Sequence, residues 1–295
     1  MGIGLVLSGG GAKGAAHIGV IKALVEENIE IEYIAGTSSG SIISSLYAMG
    51  YTTEEMSNMF SKYCKNMTDI DRLLPIKILS CFFTDRLCIK GICKGKALEK
   101  TIFKYAKTKN IINITDLKLP IAIPTVDVKT GEVIYFLNRK IKSKKNSNDE
   151  KLYDDNPTYY NIGKISEIVR ASCSLPAVYP PKSINNHMLV DGGLRENTPV
   201  SILKKMGAKN IVAVTFDSNK NRTSICNNIL TITMQSFDIM SHQVNKEELE
   251  LADVLIRPNV EDVSILGCDK IKECIENGYI ETRKNISRIK NLKNK

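Results

Sequence analysis

The first fifty residues alternate between short apolar runs and longer segments in which apolar positions recur with helical spacing. The run GIGLVLS is apolar and leads into glycines, which is typical of a buried parallel strand. In SIISSLYAMG the pattern predicts a helix that Gly50 terminates, and Thr52 and Glu55 fit a capping box that begins another helix. In chain order, these patterns predict a strand at 2–8, a helix at 15–28, a strand at 31–36 and a helix at 41–50.

The rest of the chain continues this alternation, with two interruptions. Residues 72–95 are apolar and Cys-rich with Lys and Arg interspersed, and residues 138–157 are polar and dense in charge, which predicts a mobile loop. The further predicted elements are a helix at 96–108, two strands within 120–136 joined at Thr130–Gly131, a helix at 165–172, strands at 187–190, 210–216 and 253–258, and a long helix at 229–244.

The order of these elements predicts a single α/β domain over residues 1–295, because no internal repeat or linker interrupts it. We expect a core at about 3–258, a helical insertion at about 52–108 and a basic C-terminal helix at about 269–295.

Composition narrows the class of partner. A net charge of +9 and a pI near 9.0 indicate an anionic partner, either nucleic acid or a phospholipid surface. Only 6% of the residues are aromatic and none is Trp, which disfavours base stacking, so we expect no nucleic acid partner. The composition does not indicate an oligomeric state.

Two further features concern the compartment. The longest apolar stretch, LLPIKILSCFF, is about half a bilayer span and contains Pro75 and Lys77, and the N-terminus lacks a basic n-region. We therefore expect a cytoplasmic protein, with peripheral contact to the inner face of the membrane left open. The eight cysteines form no CxxC pair, so we expect mostly small buried thiols and no bound metal.

A glycine-rich turn follows the first predicted strand in LVLSGGGAKGAAHIGV. Such a loop lets the backbone approach a ligand closely and points N–H groups at negative charge. Gly9, Gly11 and Gly14 also satisfy G-x-G-x-x-G, but the acidic residue that a dinucleotide site needs after the next strand is absent. A Walker A loop would need Lys and Ser or Thr after the last glycine, where Ala15 and Ala16 stand. A nucleotide-binding oxidoreductase or kinase is therefore disfavoured.

The pentapeptide GTSSG, at the end of the second predicted strand, matches the G-x-S-x-G pattern of a nucleophile elbow. Its central residue is Ser38, and Gly36 and Gly40 flank it where larger side chains would clash. The hydroxyl would lie at the N-terminus of the next helix, whose dipole favours negative charge. The alternative, that these serines only cap the helix, stays open for a motif this short.

A serine nucleophile needs a base, and four residues are candidates. His17 lies in the first predicted helix, where packing or support of the site is the better interpretation. His187 precedes a predicted strand and is interpreted as a loop or strand-entry residue. His242 lies in the middle of a predicted helix, where a solvated or packed histidine is the better interpretation. Asp191 follows the apolar run HMLV and precedes two glycines, which predicts a carboxylate at the C-terminal end of a strand, where open α/β sheets bind ligands. An ordinary Asp-Gly turn is the alternative.

Together, GGGAKG, GTSSG, RASCSLPAVYPP and DGGLRENTPV, in this order, resemble the patatin-like phospholipase family, with the bacterial cytosolic branch most similar. The resemblance covers about residues 3–258. It implies a patatin-like three-layer α/β sandwich with a mostly parallel central sheet.

The resemblance further implies a Ser–Asp dyad without histidine, with Ser38 as nucleophile and Asp191 as base. The N–H groups of Gly9, Gly10 and Gly11 would form the oxyanion hole. It places Lys13, Gly14, Gly192 and Gly193 in supporting loops and gives Arg170, Pro176 and Asn197 structural roles. No cofactor or metal is implied.

The activity implied is hydrolysis of a phospholipid or another acyl ester through an acyl-enzyme. Residues 72–95 and the basic tail could contact an anionic membrane, or could be an ordinary insertion and a solvated helix. The alternative function is a non-catalytic lipid-binding or regulatory protein on the same fold. Positional and chain-length preference and the physiological role cannot be read from the sequence.

Overall fold

The computed structural model describes most of the α/β alternation, over residues 2–66, 69–71, 73, 89–139, 141, 157–216, 229–260, 263 and 267–292. The interruptions at 72–95 and 138–157 therefore lie largely outside the described residues, as do Cys81, Cys88 and Cys226. The described helices are α1 (Ala16–Glu26), α2 (Ser39–Ala48), α3 (Thr53–Asn66), α4 (Lys96–Thr108), α5 (Ile165–Ser172), α6 (Val200–Met206), α7 (Ile229–Glu250) and α8 (Ile271–Asn291).

The strands form one mixed sheet. They are β1 (Ile3–Leu7), β2 (Ile31–Gly36), β3 (Ile121–Asp127), β4 (Val133–Leu137), β5 (Thr158–Tyr160), β6 (Lys182–Ile184), β7 (His187–Asp191), β8 (Ile211–Val214) and β9 (Val254–Ile256). The order is β5-β4-β3-β2-β1-β8-β9, and β7 pairs with both β3 and β6. Four neighbouring pairs in this order are parallel: β3–β2, β2–β1, β1–β8 and β8–β9. Strands β4 and β7 both run antiparallel to β3. The prediction of a mostly parallel central sheet is confirmed.

Helices cover both faces of this sheet, which gives three layers. On one face, Leu5 and Ile34 belong to a large core with buried residues of α1 and α2. On the other face, Val6 and Ala35 pack in a second core with Leu203 of α6. Every residue of β1 is buried because the strand has a neighbour on each side and helices on each face. None of the helices in the described part of the chain has the length and hydropathy of a bilayer span.

The element boundaries differ from prediction in a few places. A 3-10 turn, Gly11–Ala15, precedes α1, so the regular helix begins one residue late. Helix α7 continues to Glu250 instead of ending at residue 244. The three-residue strands β5 and β6 were not predicted, because their residues are half-exposed and too few to establish an alternating pattern.

The predicted capping box before α3 is present. The Thr52 N–H donates to Glu55 Oε2 at 2.8 Å, and the Glu55 N–H donates to Thr52 Oγ1 at 3.2 Å. These two bonds satisfy N–H groups that a helix start leaves without partners.

The basic helix α8 packs along α1. A side chain at Gly278 would collide with the Ala16 carbonyl, so the two helices approach at small residues. Arg283 and Lys290 on α8 both pair with Glu27, which follows α1. At least part of the basic charge of this helix is thus used within the chain.

Candidate active site

Ser38 lies on the sharp turn between β2 and α2. It has φ 52° and ψ −121°, a positive φ that costs a non-glycine residue about 1–3 kcal/mol. The flanking glycines are required by space: a Cβ at Gly36 would collide with the Gly40 carbonyl, and a Cβ at Gly40 with the Leu7 carbonyl. The turn therefore holds a half-buried Ser38 side chain where α2 begins.

The Ser38 backbone is fixed by hydrogen bonds to residues far away in sequence. Its N–H donates to Ser172 Oγ at 3.1 Å, and the Ser172 hydroxyl donates to the Pro124 carbonyl at 2.8 Å. The hydroxyl of Ser41 donates to the Ser38 carbonyl at 2.6 Å. Ser172 was not among the predicted site residues, although it lies within RASCSLPAVYPP. It is the last residue of α5, and only the folded chain brings it to the turn.

Asp191 is the last residue of β7, and its side chain is buried, with 2% of the residue exposed. Its Oδ1 accepts a hydrogen bond from the Gly193 N–H at 2.8 Å. Its Oδ2 has no partner at hydrogen-bond distance within the described residues. Burial raises the pKa of Asp191 to about 6, while hydrogen bonding from Gly193 and from the nearby Ser38 hydroxyl lowers it. The Ser38 side chain therefore lies near this carboxylate.

Strand β3 explains how the two residues meet. One of its edges pairs with β4, and the other is shared by β2, near Ile121, and β7, near Thr125. Because β2 runs parallel to β3 and β7 antiparallel, their C-terminal ends approach each other from opposite directions. Asp191 was expected at the end of a strand at the carboxyl edge of the sheet. Asp191 does lie at a strand end, but its strand, β7, runs antiparallel to the central strands.

The glycine loop after β1 lies against Ser38. A Cβ at Gly9 would be 3.2 Å from the Ser38 Cβ. The Gly9 N–H, however, donates to Asn197 Oδ1 at 3.0 Å and to the Asn197 carbonyl at 3.3 Å. Neither the Gly10 N–H nor the Gly11 N–H has an acceptor within the described ranges. Of the three N–H groups expected to form the oxyanion hole, those of Gly10 and Gly11 are free, and that of Gly9 is bonded to Asn197.

The supporting residues pack around these groups. Gly14 contacts Ser39, where an added Cβ would lie 2.5 Å from the Ser39 Cβ. Lys13 lies half-buried in the same 3-10 turn, and its N–H donates to the Gly10 carbonyl at 3.2 Å. Gly192 leaves room for the Pro124 carbonyl, 2.5 Å from an added Cβ. Lys13, Gly14 and Gly192 thus lie in loops that border Ser38 and Asp191. The fourth residue of the expected supporting set, Gly193, donates its N–H to Asp191.

Arg170 also bridges segments near the site. Its buried guanidinium donates to the Gly95 carbonyl at 3.0 Å and to Ser174 Oγ at 2.6 Å, and it lies over the ring of Tyr179. Ser174 in turn accepts the Asp191 N–H at its carbonyl, at 3.1 Å. Arg170 thus ties α5 to the segments beside Asp191.

The three histidines are engaged elsewhere. His17 is fully buried, its Nε2 donates to the Ser8 carbonyl at 2.8 Å, and burial lowers its pKa to about 4. His187 contacts Asp127 at 2.7 Å and Tyr160 at 3.0 Å. His242 lies partly exposed on α7. Within the described chain, none of them forms a hydrogen bond to Ser38 or Asp191.

Cys173 also lies next to the site, a position that the sequence did not indicate. Its buried thiol is 3.8 Å from Ser41 Oγ and near Ser38, and burial raises its pKa to about 12. It is therefore a neutral thiol at ordinary pH. None of the five described cysteines forms a disulfide, and four of them are buried. Among the described residues, no group of three or more His, Cys, Asp or Glu side chains is arranged to hold a metal ion.

The fold and this arrangement define the chain as a three-layer α/β protein with a serine on a strand-to-helix elbow. A family model described as patatin-like phospholipase matches residues 5–204. The lysophospholipase NTE1 of Meyerozyma guilliermondii is 32% identical over 222 residues, 75% of this chain. Patatin-like phospholipase domain-containing protein 6 of Homo sapiens is 31% identical over 218 residues, 73% of this chain. The chain belongs to the patatin-like phospholipase family.

The chain spans 13% of the length of both of these relatives. Among solved structures, VipD from Legionella pneumophila superimposes with a TM-score of 0.50 at 14% identity, covering 99% of this chain and 67% of that one. At this identity the likeness concerns the fold alone, and the predicted patatin-like fold is confirmed.

Proposed function

We propose that this chain is a serine lipid acyl hydrolase in which Ser38 is the nucleophile and Asp191 the base. The observation that carries the proposal is a serine held at positive φ beside a buried carboxylate whose Oδ2 is unpaired. A serine that only capped a helix would gain nothing from this strain. Membership of a phospholipase family supports a lipid ester as substrate.

In the proposed reaction, Asp191 accepts the Ser38 proton while Ser38 Oγ attacks the ester carbonyl carbon. The tetrahedral intermediate expels the alcohol, which takes the proton from Asp191, and the acyl group stays on Ser38. Water then attacks this ester, giving one proton to Asp191. The fatty acid leaves as Ser38 recovers its proton. A pKa of about 6 suits Asp191 to this role, since the group is mostly ionised at neutral pH yet basic enough to accept a proton.

The negative charge on the carbonyl oxygen would be stabilised by the free N–H groups of Gly10 and Gly11. The Gly9 N–H is bonded to Asn197, so Gly9 would not be a donor. Its lack of a side chain would instead let the loop approach Ser38 closely. The N-terminus of α2, which begins beside Ser38, adds its dipole. Removing one donor of this kind typically costs about 3 kcal/mol of transition-state stabilisation.

For the substrate, we propose a phospholipid or lysophospholipid. Two relatives that align with about three quarters of this chain are named lysophospholipase and patatin-like phospholipase. The net charge of +9 supports peripheral contact with an anionic membrane surface. No cofactor or metal enters this mechanism.

The test is covalent labelling with a fluorophosphonate, followed by mapping of the adduct. Wild type should be labelled at Ser38, and Ser38→Ala should lose both labelling and lysophospholipid hydrolysis by several orders of magnitude. Ser45→Ala is the matched control, because this serine is buried on α2, the helix that follows Ser38, and its hydroxyl has no partner among the described residues. Labelling that survives in Ser38→Ala would refute the assignment. Lipid binding without hydrolysis in wild type would support the non-catalytic alternative.

A further inference from the structure

Helix α7 presents large apolar side chains to solvent. Ile232, Ile239, Met240 and Val244 are 51%, 58%, 55% and 41% exposed. Ile239, Met240 and Val244 follow Ile232 by seven, eight and twelve residues, so the four side chains lie on one side of the helix. We call these four residues the α7 stripe. Scattered exposed apolar residues are ordinary, but four on one helix face form a patch that points to an interaction.

Other positions of α7 make polar contacts with the protein. Asn245 is 1% exposed and its side-chain oxygen accepts the Thr198 N–H at 3.2 Å. Glu248 accepts the N–H of Ser201, at the start of α6, at 2.7 Å. Polar side chains of α7 thus contact the protein while the apolar stripe faces solvent, which departs from the usual arrangement of a surface helix.

The helix is also nearly free of charge where the stripe lies. From Ile229 to Val244 the sequence holds one carboxylate, Asp238, and one histidine, whereas four charged residues crowd into the last five positions. The remaining solvent-facing positions between Ile232 and Val244 are uncharged. Such a face lowers the cost of leaving water for an interfacial environment.

The helix that carries the α7 stripe borders the candidate active site. Helix α7 packs against the 3-10 turn Gly192–Leu194, which directly follows Asp191. Phe237 on α7 packs with Val178 and Tyr179, in the segment that follows Cys173. A surface that contacted the stripe would therefore lie next to the proposed reaction centre.

We propose that the α7 stripe docks on the surface of a lipid bilayer and holds the active-site entrance at that surface. The choice of a bilayer rests on the proposed function, since a lipid hydrolase meets its substrate there. A second copy of the chain fits less well, because a stable dimer buries about 800 Å² per partner. Four half-exposed side chains on one helix supply less than this.

The experiment measures sedimentation of the full chain with phosphatidylcholine vesicles in 0.5 M NaCl. The Debye length is then about 4 Å, which suppresses attraction by basic residues. Wild type should bind, and Ile232→Asp/Ile239→Asp should weaken the binding by about tenfold or more, since each charge opposes burial. The matched control is Val25→Asp/Ile280→Asp. These residues are 50% and 43% exposed on α1 and α8.

Activity separates this proposal from the proposed function. The stripe variant should hydrolyse vesicle phospholipid about tenfold more slowly than wild type and a soluble short-chain ester at the wild-type rate. Equal vesicle binding by the stripe variant and wild type would overturn the docking proposal. So would a wild-type dimer that ignores vesicles and that the variant converts to a monomer. Vesicle binding without hydrolysis of either substrate would instead count against the proposed function alone.

Discussion

Asp191 combines burial with an unpaired oxygen, and both properties bear on its proposed role. Burial disfavours the ionised form, and the hydrogen bond from Gly193 only partly offsets this, so its pKa is about 6. The pKa of an exposed aspartate is lower by about two, so its carboxylate would be a weaker base. Ser38, held at positive φ, lies near this carboxylate, which is the proposed base.

The pH dependence of hydrolysis follows from this pKa. The ionised carboxylate is the active form, so kcat/KM on a soluble short-chain ester should fall about tenfold per pH unit below pH 6 and level off above it. His17 should not add a step in this range, because burial lowers its pKa to about 4 and its Nε2 is bonded to the Ser8 carbonyl. The measurement is initial rate from pH 4.5 to 8.5. A midpoint that disappears in His187→Gln or His242→Gln would assign the base to a histidine.

At the residue scale, the sequence was enough to single out Ser38 and Asp191, because each lies at the end of an apolar strand and next to glycines. It could not identify Ser172, since serine near a helix end is common and its partner, the Ser38 N–H, is 134 residues away. The bond between Gly9 and Asn197 was equally hidden, because it joins residues 188 apart. Long-range hydrogen bonds leave no periodic pattern.

At the element scale, the end of α5 holds the elbow. The Ser172 hydroxyl accepts from the Ser38 N–H and donates to the Pro124 carbonyl, so it links α2, α5 and β3 through one atom. Without it, the N–H of a residue at positive φ would lose its partner, and the Ser38 side chain would be less well positioned.

Ser172→Ala should therefore lower kcat about ten- to a hundredfold and leave KM close to wild type. Ser172→Thr, which keeps the hydroxyl, should recover part of this loss. Ser166→Ala is the control, because Ser166 is buried at the other end of the same helix. Steady-state kinetics on a soluble ester, with circular dichroism to check folding, makes the comparison. Equal kcat in Ser172→Ala and wild type would show that the hydrogen bond does not position the nucleophile.

Strand order and direction were harder to predict than strand existence. The strands β1, β2, β3, β4 and β8 are apolar enough to be recognised singly. The antiparallel direction of β7 is set by its pairing with β6 and β3, and hydrophobic pattern contains no information about direction. The meeting of β2 and β7 at the edge of β3 is therefore a property of the fold that residue patterns do not specify.

At the scale of the whole molecule, the site lowers the stability of the fold. The positive φ at Ser38, the unpaired Oδ2 of Asp191 and the buried charge at that residue all oppose folding. The two apolar cores on the faces of the sheet offset these costs. Proteins often keep such unfavourable features where function requires them, and replacing them raises stability at the expense of activity.

Asp191→Asn should therefore stabilise the protein while removing activity. The folded-state pKa of Asp191 is about 6, above the 3.8 of an unperturbed aspartate, so the folded form binds more protons in this window and stability falls as pH rises through it. Above pH 6 the cost is about 3 kcal/mol at most. In urea unfolding at pH 8, Asp191→Asn should be the more stable protein, and its advantage should shrink towards pH 4.

Asp127→Asn provides a control of opposite sign. Burial raises the pKa of Asp127, but hydrogen bonds from Lys129 and His187 more than offset this and leave the pKa lowered. Its charge therefore favours folding at pH 8, and Asp127→Asn should be destabilised there, with the loss fading as pH falls. If Asp191→Asn were instead no more stable than wild type at pH 8, the Asp191 carboxylate would have to be better solvated than its burial implies. An elevated pKa could then no longer support its role as the base.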